Sequence, residues 1–407
     1  MIHVCYCFCD KTGRYAKFAG TSMLSLFEHT KSEVTIHILH DNTLTDDNRD
    51  KFSSLVNQSS QLIKFYNLDE ICPNKLAEIA ELIPDLEKES VTIGTFYKLL
   101  IPQILPTDIN KVIFIDPDTI INLDIAELWQ TELEDKVLGV VTEAENGTDV
   151  NKTFLLCRED YVQEEDYFNC GVLLMNLNIL RGEEETITDG IKFRGENSQY
   201  KFLDSTVLNY CFSTRTLKLP TKFNSLVRQE RTGEGQEVGE KIYHYAKGKS
   251  RMGLDTKDPF NRLWMNYFMK TPWFDLETFG QLYKTVQKIR NDLKSSSTKI
   301  VKAMPGKMRV FFVEPEKLEN IKEFFEIKNH EEIILAESSK SIPKLIDTMK
   351  NYRGMCLFFI MTEKFLKKGF PFDKLKKAGF AEYKDFVKGW TLLPGGSFDS
   401  YPLIEAM

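Results

Sequence analysis

Short apolar runs alternate with longer segments of helical period from the first residues onward, and that alternation limits the fold more than any other feature. Residues 3–9, 34–39 and 62–66 have strand character, while residues 18–28 and 46–58 have apolar positions at helical spacing. A β-α-β-α-β order predicts a mainly parallel sheet with helices on both faces. The pattern continues with a helix at 95–100, strands at 111–115 and 171–177, and a helix at 203–210. A second α/β alternation starts at residue 308: strands at 308–313, 332–336, 355–360 and 390–393, with helices at 315–325, 342–351 and 372–378. At about 150 residues per domain, a chain of 407 residues fits this division. The expected organisation is a first α/β domain over 1–275, a basic helical connector over 276–305 and a smaller accessory α/β domain over 306–407.

Charge and composition exclude several classes. A formal net charge of −7 argues against a wholesale nucleic-acid binder. No apolar run reaches about 18 residues, so no transmembrane helix is expected. The opening MIHVCYCFCD has no basic stretch followed by a long apolar one, so it reads as a first strand in a cytoplasmic chain rather than a signal peptide. The eight cysteines include no C-x-x-C pair and lie in apolar segments, as small buried hydrophobes would. The N-x-S/T sequons at Asn57, Asn146 and Asn151 are accordingly read as chance.

The strongest chemical signal is Val112-Ile-Phe-Ile-Asp-Pro-Asp118, an apolar strand ending in two aspartates around a proline. Residues two apart at a strand end face the same side, and Pro117 removes a ladder donor and ends the pairing. Open α/β sheets bind ligands beyond the carboxyl ends of their strands. Two carboxylates so close repel unless a cation lies between them, and a hard divalent ion that keeps positions for phosphate oxygens answers that need. Alone, the pattern also fits two solvated turn aspartates.

Several ordered blocks resolve the choice by resemblance. Asp10 and Tyr15 follow the first strand, and Thr95-Phe-Tyr-Lys-Leu-Leu-Ile-Pro102 and Asp116-Pro-Asp118 come next. Tyr167-Phe-Asn-Cys-Gly-Val-Leu-Leu-Met-Asn-Leu177, Asp204-Ser-Thr-Val-Leu-Asn209, Leu219-Pro-Thr-Lys-Phe-Asn224 and Ile242-Tyr-His-Tyr245 complete the series. Over about residues 1–275 the chain resembles glycosyltransferase family 8, which includes glycogenin and bacterial lipopolysaccharide sugar transferases. The resemblance implies a GT-A fold (a Rossmann-like mixed sheet) and a metal-dependent retaining transfer. The donor would be UDP-glucose or UDP-galactose, and the acceptor a glycan or lipid-linked glycan.

It also implies roles. Asp116, Asp118 and His244 would hold Mn²⁺ (Mg²⁺ being the alternative) against the diphosphate. Asp10 and Tyr15 would clamp the base, a cap on the following turn being the plain alternative for Asp10. Asn169 and Asp204 would face the sugar as catalytic residues, while Lys98, Gly248 and Lys249 would serve the bound nucleotide. A hydrogen-bonded core histidine is the plain alternative for His244.

Three departures stand out: Lys98 replaces the family's arginine, Ser205 its glutamine, and residues after His244 lack its Pro-Trp pair. They motivate a second reading, a nucleotide-sugar-binding protein or scaffold without turnover. The stretch 283–307, which contains most of the connector, carries Lys284, Lys288, Arg290, Lys294, Lys299, Lys302 and Lys307 against Asp292. Leu282, Val286, Ile289 and Leu293 share one face of the connector. It suits either an anionic membrane surface or a solvated linker helix. The C-terminal domain shows no catalytic signature and is expected to serve acceptor binding, oligomerisation or partner contact.

Overall fold

A strand covered by helices on both faces must be apolar on both, and the first strand is. In the computed structural model its residues alternate between two cores: Ile2, Val4 and Tyr6 enter one, Cys5 and Cys7 the other. The structure describes residues 1–83, 92–143, 161–200, 202–227, 238–246, 258–285, 307–325, 332–337, 341–361, 372–382 and 384–389, with single positions 86, 287, 288 and 327. Two compact units are present, Met1–Phe274 and Asp275–Met407.

The strands of the first unit are β1 (Ile2–Cys7), β2 (Val34–His40), β3 (Leu62–Asn67), β4 (Lys111–Ile115), β5 (Thr119–Ile121), β6 (Leu138–Val140), β7 (Val172–Asn176), β8 (Thr216–Lys218), β9 (Ser225–Leu226) and β10 (Ile242–His244). The main sheet runs β3-β2-β1-β4-β7-β6-β8. Pairing is parallel from β3 to β4, as the alternation predicts, with Ile2 opposite Val34 and Cys5 opposite Phe114. Beyond β4 the sheet becomes mixed: β7 runs antiparallel to β4 and to β6. A small second sheet, β5-β10-β9, stands beside it.

Helix α1 (Arg14–His29) covers one face, and its start is built by Asp10 and Gly13. Gly13 has φ of 66°, a conformation that suits glycine. That turn lets the Asp10 carboxylate accept from the backbone N–H groups of Tyr15 and Ala16 at 2.9 and 3.1 Å. Helix α2 (Asp46–Gln58) is capped in the ordinary way by the Thr45 side chain, which accepts from the Asn48 N–H.

The second unit contains β11 (Met308–Val313), β12 (Glu332–Leu335), β13 (Cys356–Ile360) and β14 (Phe386–Lys388), all parallel in the order β12-β11-β13-β14. Its own core includes Phe311, Leu345 and Phe359. The last described strand precedes the one expected at 390–393, which lies outside the described residues. Of the connector, residues 276–285 are helical with Leu282 exposed, while Val286, Ile289 and Leu293 lie outside the described residues. The cysteines described are free thiols, and Cys157 is not among the described residues.

Candidate active site

The site forms where β4 stops. Asp116 still pairs through its N–H with the Gly171 carbonyl at 2.7 Å; Pro117 then ends the ladder and the chain turns into β5, with the Thr119 hydroxyl donating to the Asp116 carbonyl at 3.0 Å. β5 pairs antiparallel with β10, Thr119 opposite His244, and the Tyr245 N–H donates to the Asp118 carbonyl at 2.9 Å. That register carries a histidine from far downstream to the two aspartates. His244 Nε2 lies 3.5 Å from Asp118 Oδ1 and 3.7 Å from Asp116 Oδ2. One ligand atom from each of the three falls within 4.8 Å of the others.

These residues suit a divalent cation. Two carboxylate oxygens and one imidazole nitrogen make a mixed donor set of the kind manganese accepts. Burial pushes the Asp116 carboxyl upward, and the neighbouring charge of Asp118 adds to that, against the pull of Lys98 and His244. A doubly charged ion held by these residues would relieve that repulsion.

Lys98 is the site's own cation. It sits on the 3₁₀ segment Ile93–Leu100, is 4% exposed, and reaches Asp204 Oδ2 at 2.6 Å and Asp116 Oδ1 at 3.2 Å. It also donates to the Cys170 carbonyl at 3.2 Å and lies 4.4 Å above the Phe114 ring. Burial alone would lower its pKa, but Asp116 and Asp204 outweigh that and hold it well above the ordinary lysine range. The other Asp204 oxygen accepts from the Thr95 hydroxyl at 3.0 Å. Lys98 therefore bridges the candidate metal ligand and the candidate catalytic carboxylate as a single ammonium, without an arginine's bidentate fork.

Behind the aspartates, Asn169 Oδ1 accepts from the Gly171 N–H at 2.9 Å and lies 3.0 Å from Asn224 Nδ2. Asn224 Oδ1 is 3.1 Å from His244 Nδ1. Gly171 is required here because a β-carbon at that position would overlap the His244 ring.

These side chains open on one cavity of about 340 Å³, lined by Tyr15, Lys98, Asp116, Asp118, Asn169, Asp204 and His244. Cys7, Cys9, Cys170, Phe202 and Ser205 are among the other residues of its wall. Burial raises the Cys7, Cys9 and Cys170 thiols, so they are neutral floor rather than nucleophiles. Tyr15 is 40% exposed, edge-on to Phe18.

Asp10 does not line this cavity. It is buried, and its oxygens accept from the backbone N–H groups of Tyr15 and Ala16 and from the Asn48 side chain, the contacts of a cap on the turn. Gly248 and Lys249 lie outside the described residues. Residue reading missed the parts played by Thr95 and Asn224; each stands in a recognisable block, but its role appears only from its contacts.

The family model for glycosyl transferase family 8 matches residues 6–250, which hold the two aspartates, Asn169, Asp204 and His244. The chain is 22% identical over 296 residues to general stress protein A of Bacillus subtilis, covering 67% of this chain and 95% of that protein. It is 25% identical over 215 residues to a lipopolysaccharide 1,2-glucosyltransferase of Escherichia coli, covering 52% of this chain and 60% of that enzyme. Among solved structures, the galactosyltransferase LgtC in complex with donor and acceptor sugar analogs superposes with a TM-score of 0.54 at 17% identity, covering 69% of this chain and 99% of that one. The bifunctional glycosyltransferase WbbM does so with a TM-score of 0.52 at 20% identity, covering 67% of this chain and 50% of that one. The fold of the first unit is GT-A.

Proposed function

The chain belongs to glycosyltransferase family 8, and from that premise we propose that it moves glucose or galactose from a UDP-sugar to a glycan or lipid-linked glycan acceptor in bacterial cell-surface polysaccharide or glycoconjugate synthesis, retaining anomeric configuration. The observation that carries this reading is the convergence of Asp116, Asp118 and His244 on the cavity that also holds Asp204 and Asn169. Asp116, Asp118 and His244 hold Mn²⁺, with Mg²⁺ as the weaker substitute. When bound, the ion supplies positive charge to a diphosphate leaving group.

The protein groups do the rest. Tyr15 stacks on the base, and Gly248 and Lys249 meet the diphosphate. Lys98 holds Asp204 against the cavity, where its carboxylate stabilises positive charge developing on the sugar. Both Asp204 oxygens already accept from Lys98 and Thr95, which blunts the carboxylate as a nucleophile and favours this electrostatic role. The acceptor hydroxyl then attacks from the face the phosphate leaves: the C1–O bond to phosphate breaks, the new C1–O bond forms, and the hydroxyl proton passes to the departing phosphate oxygen. Asn169 bounds the sugar pocket. The second unit and the basic connector serve the acceptor and, for a lipid-linked one, contact at the inner membrane face. Among the described residues no helix is long and apolar enough to cross a membrane.

Mixing the full chain with Mn²⁺ and either UDP-sugar is expected to release UDP slowly without acceptor and faster with it. The variant Asp118→Asn should stay folded and lose metal-dependent UDP binding in calorimetry. Tight UDP binding with no release, in every metal and acceptor tried, would instead assign a nucleotide-sugar-binding protein. Unchanged metal-dependent affinity in Asp118→Asn would refute the ligand set.

A further inference from the structure

A line of polar groups behind the two aspartates has its hydrogen-bond directions fixed from one end. The backbone N–H of Gly171 meets the Asn169 side chain at 2.9 Å. A backbone N–H only donates, so the atom it meets is the amide oxygen. The same oxygen lies 3.0 Å from the Asn224 side chain, which must therefore present its NH₂. The remaining Asn224 atom, its oxygen, faces His244 Nδ1 at 3.1 Å and only accepts. Nδ1 then carries a proton, and in the neutral imidazole Nε2, the nitrogen turned toward Asp116 and Asp118, carries the lone pair.

We infer that Asn224 is a positioning residue: it sets the His244 tautomer so that Nε2 is ready to take a metal. Asn224 is fully buried and does not border the cavity, so it reaches a bound nucleotide-sugar only through His244 and Asn169. The ring also sits in the space that a β-carbon at position 171 would fill. A hydrogen-bonding partner on the far nitrogen of a metal-binding histidine fixes both ring orientation and ligand basicity. Here the order is built into the β7 turn, since a main-chain donor starts the series.

The inference rests on Asp116, Asp118 and His244 holding a divalent ion. Its test reads metal binding and the tautomer itself. In the full wild-type chain with ¹⁵N-labelled histidine, the His244 signals, identified by their loss in His244→Gln, are expected to show a protonated Nδ1 and an unprotonated Nε2. Mn²⁺ titration by calorimetry and electron paramagnetic resonance should show Asn224→Leu weakened about 10- to 100-fold. Asn224→Asp keeps an acceptor for Nδ1–H, so it should bind Mn²⁺ better than Asn224→Leu even though it melts below wild type. A purely structural role predicts instead that affinity falls in step with melting temperature in both variants. A protonated Nε2 in the wild type, or undiminished binding in Asn224→Leu, overturns the inference while leaving the metal site standing. A wild-type chain that takes up no Mn²⁺ overturns both.

Discussion

Lys98 shows how one substitution changes what a site can tolerate. A buried ammonium 2.6 Å from Asp204 and 3.2 Å from Asp116 cannot be removed without stranding two carboxylates. Breaking such a buried pair costs about 3–5 kcal/mol, so Lys98→Met is expected to lower urea-unfolding stability by about that amount and abolish UDP release. A loss below about 1 kcal/mol, the range of surface pairs, would show that the three charges are not coupled as drawn. Gly171→Ala acts differently. The three atoms nearest its new β-carbon all belong to the His244 imidazole, so the chain should fold but bind Mn²⁺ weakly; wild-type calorimetry in that variant would mean the ring has room to move. Asp10 marks the limit of residue reading. An aspartate after a first strand reads first as a base clamp, and its capping partners, the backbone N–H groups of Tyr15 and Ala16, carry no side-chain signature.

Strands and their registers carry the next level. The parallel half of the sheet was legible because helices separate its strands in sequence. The reversal at β7 was not: Val172, Leu173, Leu174 and Met175 are buried, and a strand apolar on both faces reads the same in either direction. β10 is three residues long, too short for any periodicity, so His244 entered the site only through the resemblance of its neighbourhood and then through pairing with β5. A different consequence follows from β1, β2 and β3 lying side by side. His37 on β2 bonds His3 on β1 at 3.1 Å and the Tyr66 hydroxyl on β3 at 3.1 Å. Burial first, then the charges of His3 and Lys64, push its pKa down to about 3 from 6.5. The unfolded chain therefore takes up this proton first. The stability His37 contributes is complete above about pH 6.5 and falls as pH drops toward 3, by at most about 1.4 kcal/mol per unit. Urea midpoints should decline from about pH 6.5 to 4.5, and His37→Phe should flatten that slope. Parallel slopes for the two proteins would place the acid sensitivity elsewhere.

At the scale of the molecule, the question is how much chain the donor chemistry needs. The family match ends at residue 250, yet the first unit does not. Trp273 packs at 4.8 Å on Phe52, its ring fills the space above Gly20, and its indole N–H donates to Asn48 Oδ1 at 2.8 Å. Asn48 in turn donates to Asp10, the cap of α1. The tail of the unit thus closes the start of α1, whose Tyr15 lines the cavity. A chain ending at Phe274 keeps this lock and its own cores; it should melt cooperatively and release UDP from donor at nearly the full-length rate, while transfer to acceptor falls. A chain ending at Phe268 loses the indole from a packed core, a change worth about 3–5 kcal/mol, and should melt well below it. Melting curves and UDP release on the two truncations separate these effects. If the 274-residue chain folds but releases no UDP, the second unit completes the donor site and the division of labour between the units is wrong.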